Sequence, residues 1–81
     1  MDDNLQERIR IANGLLSDIY KLNKDLASAS AAQSKLVQSY LEDNKSNLSD
    51  KNISIEKLDR LIENMTILIT FIKECAVLSS K

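Results

Sequence analysis

The absences in this 81-residue chain are informative: it contains no proline and no tryptophan, and Gly14 is its single glycine. Glycine and proline mark the turns between strands, so their scarcity argues against a fold built from β-hairpins. The apolar residues recur instead at the spacing of an α-helix. The sequence therefore predicts an all-α protein that forms a single domain over residues 1–81.

The side chains that usually carry catalysis or bind metals are also scarce. Histidine is absent, which removes the usual base at neutral pH and leaves no recognisable zinc site. Cys75 is the only cysteine, so no disulfide can form within the chain, and we expect it to be a small core side chain in a reducing compartment. No glycine-rich phosphate loop occurs. These absences predict a protein that is not an enzyme and that needs no cofactor or metal.

Charge of one sign does not gather anywhere along the chain. Eleven Lys and Arg residues oppose twelve Asp and Glu residues, for a net charge of −1. Nucleic acids are bound through clustered cations, so this balance argues against a nucleic-acid partner. Three carboxylates, Glu56, Asp59 and Glu63, are spaced as neighbours on a helix, but Lys57 and Arg60 lie among them. This pattern is typical of a solvated face with mixed charge.

Long apolar runs and targeting signals are missing as well. No segment reaches the ~18 uninterrupted apolar residues of a membrane-spanning helix. The most apolar stretch is interrupted by Lys73 and Glu74. The first ten residues, MDDNLQERIR, are too polar and too acidic for a signal or transit peptide. We therefore expect a cytoplasmic protein that does not insert into membranes.

The densest apolar content lies between Ile53 and Leu78. At about 100° per residue, one face of this segment forms a core stripe. Its members are Leu58, Leu61, Ile62, Met65, Leu68, Ile69, Ile72, Cys75 and Ala76. Ser54 is a good N-cap, because Ile53 before it and Leu58 after it can form a hydrophobic staple. Ser49, flanked by Leu48 and Ile53, offers the same arrangement one turn earlier. The sequence predicts a helix over about residues 54–78.

A second amphipathic pattern precedes this helix. Apolar residues recur at nearly heptad spacing from Leu5 to Tyr40, which predicts one continuous helix over about residues 4–43. Residues 44–53 have the polar composition of a loop in which the chain reverses. The predicted fold is a long antiparallel helical hairpin, similar to a coiled coil, that completes a multi-helix bundle with other chains.

The segment ASASAAQS, residues 27–34, leaves an alternative open. Its serines compete for backbone hydrogen bonds, and Ser30 with Gln33 can form a capping box that begins a new helix. A break there would give a three-helix bundle. The apolar register before the segment resumes after it at Leu36 and Tyr40, which favours the continuous helix.

Two sets of apolar residues have no place inside the hairpin. Ile67, Phe71 and Leu78 form a line on the second helix, opposite its core stripe. The first helix would extend past the second and leave five apolar residues uncovered: Leu5, Ile9, Ile11, Leu15 and Leu16. We predict that both sets contact another chain, with Phe71 as an anchor.

These features predict a non-enzymatic protein–protein interaction module, a small structural subunit of a homo- or hetero-oligomeric helical assembly. The alternative is a small helical chaperone, regulator or inhibitor that masks an apolar surface of another protein. In size and build the chain is similar to small subunits of kinetochore and organelle-trafficking coiled-coil complexes, and to needle subunits and co-chaperones of type III secretion. The expected partner is a second copy or another helical protein, with no nucleic acid and no small-molecule substrate.

Overall fold

The computed structural model describes residues 3–79, which form three α-helices. Helix α1 spans Asp3–Ala29, α2 spans Ala31–Leu48 and α3 spans Ile55–Ser79. Residues 3–79 contain no strand, which confirms the all-α prediction. The helices pack into an elongated bundle that measures 48 × 17 × 16 Å.

The continuous helix predicted over about residues 4–43 is wrong, because the chain breaks at Ser30. This residue is extended, with φ of −153° and ψ of 99°, and caps α2. Its Oγ accepts a hydrogen bond from the backbone N–H of Gln33 at 3.4 Å. The serine side chain thus satisfies one of the N–H groups that a new helix leaves without a partner. The three-helix bundle, the alternative left open by the sequence, fits the structure.

Two further hydrogen bonds join the helices on either side of this break. Asn23 Nδ2 donates to the carbonyl oxygen of Ser34 at 3.3 Å, and Ser34 Oγ donates to the carbonyl oxygen of Asn23 at 3.4 Å. Both residues are buried, so these hydrogen bonds do not compete with bulk water. They hold the start of α2 beside the last turns of α1.

The connection between α2 and α3 is shorter than the predicted loop of residues 44–53. Helix α2 continues to Leu48, which packs against the core. Asn44 is buried, and its Nδ2 donates to the carbonyl oxygen of Tyr40 at 2.8 Å. The polar composition suggested a loop, but burial of these two side chains keeps the segment helical.

The predicted start of α3 is confirmed. Ser54 Oγ accepts a hydrogen bond from the backbone N–H of Lys57 at 3.2 Å, which is the geometry of an N-cap. Ile53, directly before the cap, is buried in the core together with Leu58. The helix therefore begins at Ile55, within one residue of the predicted boundary.

One apolar core runs along the bundle and draws on all three helices. Its buried members are Ala12, Ile19, Leu26, Val37, Leu41, Ile53, Leu58, Leu61, Met65, Leu68, Ile72 and Cys75. Every core residue contributed by α3 belongs to the stripe predicted from the sequence. Cys75 is among them as a buried free thiol, as expected.

Helix α3 runs parallel to α1, and α2 runs antiparallel to both. Near the start of both helices, Arg8 Nε donates to Asp59 Oδ1 at 2.7 Å. Near their ends, Leu26 and Ile72 line the same depression. Helix α3 therefore lies alongside most of the length of α1.

This arrangement removes the reason for expecting a partner at the N-terminal part of α1. Helix α3 covers the segment that a two-helix hairpin would have left bare. Four of the five residues concerned are partly buried against the core of their own chain: Leu5, Ile9, Leu15 and Leu16. Ile11 is 43% exposed. The expectation that this set lacks a neighbour within the chain is thus wrong for the four partly buried residues, and contact of the set with another chain stays a prediction.

Candidate interaction groove

An apolar groove of about 430 Å³ runs between α2 and α3. It is present because α3 packs more extensively against α1 than against α2, which leaves the α2 side of α3 incompletely covered. The residues that line this α2–α3 groove are Leu36, Tyr40, Asn44, Asn64, Ile67, Leu68 and Phe71.

Helix α2 contributes one wall of the groove through a second apolar row. Val37 and Leu41 are fully buried in the core. Leu36 and Tyr40 each precede one of these residues and are therefore rotated by about 100° around the helix axis. They are 50% and 53% exposed, respectively. Because these two residues are four positions apart, they lie one above the other along the groove.

Helix α3 supplies the floor and the opposite wall. Leu68 is buried and separates the groove from the core, whereas Ile67 is 60% exposed. Phe71 is partly buried and packs against the core while one side of it lines the groove. Two of the three residues predicted opposite the core stripe therefore lie together in one apolar surface.

Leu78, the third residue of that line, lies outside the groove. It is 71% exposed and, with Val77, lines a separate shallow depression near the end of α3. The other residues of this depression, Thr70, Lys73 and Glu74, are polar or charged. The structure thus separates Leu78 from Ile67 and Phe71.

Sequence reasoning missed two residues of the groove, Leu36 and Tyr40, by assigning them to the core stripe of the first helix. The sequence did contain a signal for this second row. Val37 and Leu41 are four residues apart, as Leu36 and Tyr40 are, but lie one position later. Two adjacent apolar rows on one helix indicate more contact surface than a single core requires.

The groove is lined mainly by apolar side chains. Its lining contains no charged side chain, and Nδ2 of Asn44 already donates to Tyr40. Among residues 3–79, no three His, Cys, Asp or Glu side chains are placed to hold a metal ion together. Within the same residues, none of the helices has a segment with the length and apolarity needed to cross a membrane.

The candidate site therefore consists of apolar side chains from two antiparallel helices with charged residues on α3 beyond both ends of the groove. Arg60 lies one turn before Asn64, and Glu74 lies about one turn after Phe71; both charged residues are exposed. The arrangement leaves space for apolar groups from another molecule between α2 and α3. Comparison with protein-family models, with curated proteins and with solved structures finds no match to this chain.

Proposed function

We propose that this protein is a non-enzymatic interaction module whose α2–α3 groove binds an α-helix of another chain. The bound helix packs on Leu36 and Tyr40 from one side and on Ile67 and Phe71 from the other. The complex is then a four-helix arrangement in which the protein serves as a small subunit of a helical assembly. The observation that carries this proposal is the apolar groove itself.

A helix fits this groove better than a small polar ligand does. The walls are two antiparallel helices whose apolar residues are three or four positions apart, the spacing that a third helix uses to insert its own apolar face. A small polar ligand needs several convergent polar groups for orientation. The lining provides the amides of Asn44 and Asn64, the hydroxyl of Tyr40 and no charge.

The exposed apolar surface supplies a driving force for this contact. Three groove residues, Leu36, Tyr40 and Ile67, are half or more exposed. Full burial of a large apolar side chain contributes about 1.5–3 kcal/mol, so covering the exposed half of each residue contributes roughly 1 kcal/mol. Aromatic residues such as Tyr40 and Phe71 are favoured anchors of protein interfaces.

The two tyrosines offer a matched test of the groove. Each is replaced in turn by the photo-crosslinking residue p-benzoylphenylalanine, because Tyr40 lines the groove and Tyr20 is a comparably exposed residue on α1. Irradiation in the source cells, followed by mass spectrometry, is expected to link position 40 to one face of a helix in another chain. The same replacement at position 20 should give little product.

A second variant separates binding from folding. Leu36→Ser combined with Ile67→Ser should abolish the crosslink from position 40 and leave the circular dichroism spectrum of a helical protein. Equal crosslinking from positions 20 and 40, or crosslinks that survive the double substitution, would show that the groove is not the binding surface.

A further inference from the structure

We infer that the helix bound in the α2–α3 groove comes from a second copy of this chain. This inference rests on the proposed function. The two copies meet groove to groove around a two-fold axis near Ile67, with the two α3 helices antiparallel. The observation that identifies the occupant is the order of charges along the groove side of α3.

The groove side of α3 carries its own heptad-like series, distinct from the core stripe. Its members alternate at spacings of four and three residues: Arg60, Asn64, Ile67, Phe71 and Glu74, the last of which borders the separate depression that holds Leu78. This spacing keeps the series on one side of the helix and is the pattern of helices that pack along each other. The apolar pair Ile67 and Phe71 lies in the middle, and opposite charges lie on either side.

The charges make the α3 helices of two copies complementary only when the helices are antiparallel. Arg60 lies seven residues before Ile67, and Glu74 lies seven residues after it. A two-fold axis at Ile67 with antiparallel helices therefore places Arg60 of each copy opposite Glu74 of the other. A parallel pairing would instead place like charges together, which is unfavourable.

Both charged groups are available for these contacts. Arg60 and Glu74 are exposed, and neither forms an ion pair within residues 3–79. In the paired copies, Ile67 contacts its own equivalent across the axis, and Phe71 lies one turn away from it in each chain. Leu36 and Tyr40 extend the apolar contact onto α2, so that α2 and α3 of both copies form a four-helix interface.

A contact of this kind must extend along much of α2 and α3. A stable interface buries roughly 800 Å² per partner, which is close to one-seventh of the 5677 Å² accessible surface of this chain. The face formed by α2 and α3 runs along two of the three helices. The binding of a foreign helix would not account for opposite charges placed at equal distances from Ile67, whereas antiparallel pairing of two copies does.

The test uses sedimentation equilibrium of the full chain and exchanges of the two charges. The wild-type protein should sediment with twice the 9.1 kDa mass of one chain. Arg60→Glu and Glu74→Arg should each raise the dimer Kd at least tenfold, because each creates two like-charge contacts. The double variant Arg60→Glu/Glu74→Arg should return the Kd to within about threefold of the wild-type value, since opposite charges again meet.

Two controls make this result specific to the antiparallel pairing. Lys24→Glu reverses an exposed charge on α1, outside the α2–α3 groove, and should leave the Kd within about twofold of the wild-type value. An equimolar mixture of the two single variants should form a heterodimer. One variant then has acidic groups at positions 60 and 74, and the other has basic groups at both. Circular dichroism should show the same helical content for every variant.

The outcomes distinguish this inference from the proposed function. A monomeric wild-type protein at high concentration, with crosslinks from position 40 to a different protein, would overturn the second copy as occupant and leave the groove as a binding site. A dimer whose double charge variant stays dissociated would overturn the antiparallel pairing. A monomer with no crosslinks from position 40 would overturn both proposals.

Discussion

Helix α3 has two apolar sides that meet very different surroundings. On the α1 side, the packing is extensive and the residues between the helices, such as Ile19 and Ile72, are almost completely buried. On the α2 side, the packing is sparse, and Ile67 and Tyr40 remain more than half exposed. The same helix therefore stabilises the fold on one side and leaves apolar surface available on the other.

The exposed residues lie outside the core that holds the bundle together. The three helices already share a core that includes Val37 and Leu41 from α2. The large apolar groups beyond that core are only partly buried within the chain, and a monomer gains nothing by exposing the rest of their surface together in one groove. The α1–α3 interface thus supplies most of the packing of α3 within the chain, and the α2–α3 groove is the surface that we propose for contact with another chain.

The largest expected effect comes from a charge placed on the core side of α3, and the same charge on the groove side is its comparison. Met65→Asp buries a carboxylate that has no partner, at a cost of about 3–5 kcal/mol, which is comparable to the whole stability of a domain this small. Ile67→Asp places the same group in the exposed groove and should change the stability of the monomer by about 1 kcal/mol or less. Thermal melts followed by circular dichroism compare the two variants directly.

The two positions are two residues apart in one helix. An introduced aspartate therefore affects the helix itself to nearly the same extent at both. Met65 is fully buried, and Ile67 is 60% exposed. Equal loss of helicity in both variants would contradict the distinction between the core side and the groove side of α3.

Much of this architecture could be predicted from the sequence, because periodicity reports which residues face a core. The α3 stripe, its cap at Ser54 and the position of Ile67 opposite the stripe all follow from spacing and local hydrogen bonding. The break at Ser30 could not be decided in this way. A single extended residue redirects the helix axis and adds too few residues to change the phase of the apolar pattern.

The groove itself depends on how the helices pack, which periodicity does not report. Leu36 and Val37 are both apolar neighbours on α2, and only the positions of α1 and α3 decide which of them is buried. The N-terminal half of α1 shows the same limit. Leu5 and Leu16 lack a neighbour only in a hairpin in which α2 continues α1, and the parallel placement of α3 covers them.

A smaller effect is expected at the turn that positions α2. Ser30→Ala removes the N-cap of α2 and should cost about 1 kcal/mol. For a domain of this size, that loss lowers the Tm by about 4–8 °C. Because α2 has the sparser packing against α3, its amides should also gain more hydrogen exchange than those of α1 or α3.

The control for this prediction is Ser39→Ala, the same substitution at an exposed position within α2. Alanine favours helix formation there, so the Tm should stay the same or rise slightly. If hydrogen exchange after Ser30→Ala increased equally in all three helices, α2 would be as firmly held as the other two, and the contrast between the two sides of α3 would disappear.

The smallest effect is expected from the ion pair that spans the α1–α3 interface. Arg8 and Asp59 are in contact at 2.7 Å, but their side chains are 33% and 54% exposed. Exposed pairs of this kind contribute about 0.5 kcal/mol, and salt screens them. A double-mutant cycle with Arg8→Ala and Asp59→Ala, measured by urea denaturation, should give a coupling energy of that size that decreases in high salt.

The pair between Glu7 and Arg10 within α1 serves as the comparison, because it joins residues of one helix and spans no interface. A coupling energy above about 2 kcal/mol for Arg8 and Asp59 would exceed the range of exposed pairs. The tight packing of α1 on α3 would then depend on charge rather than on apolar burial.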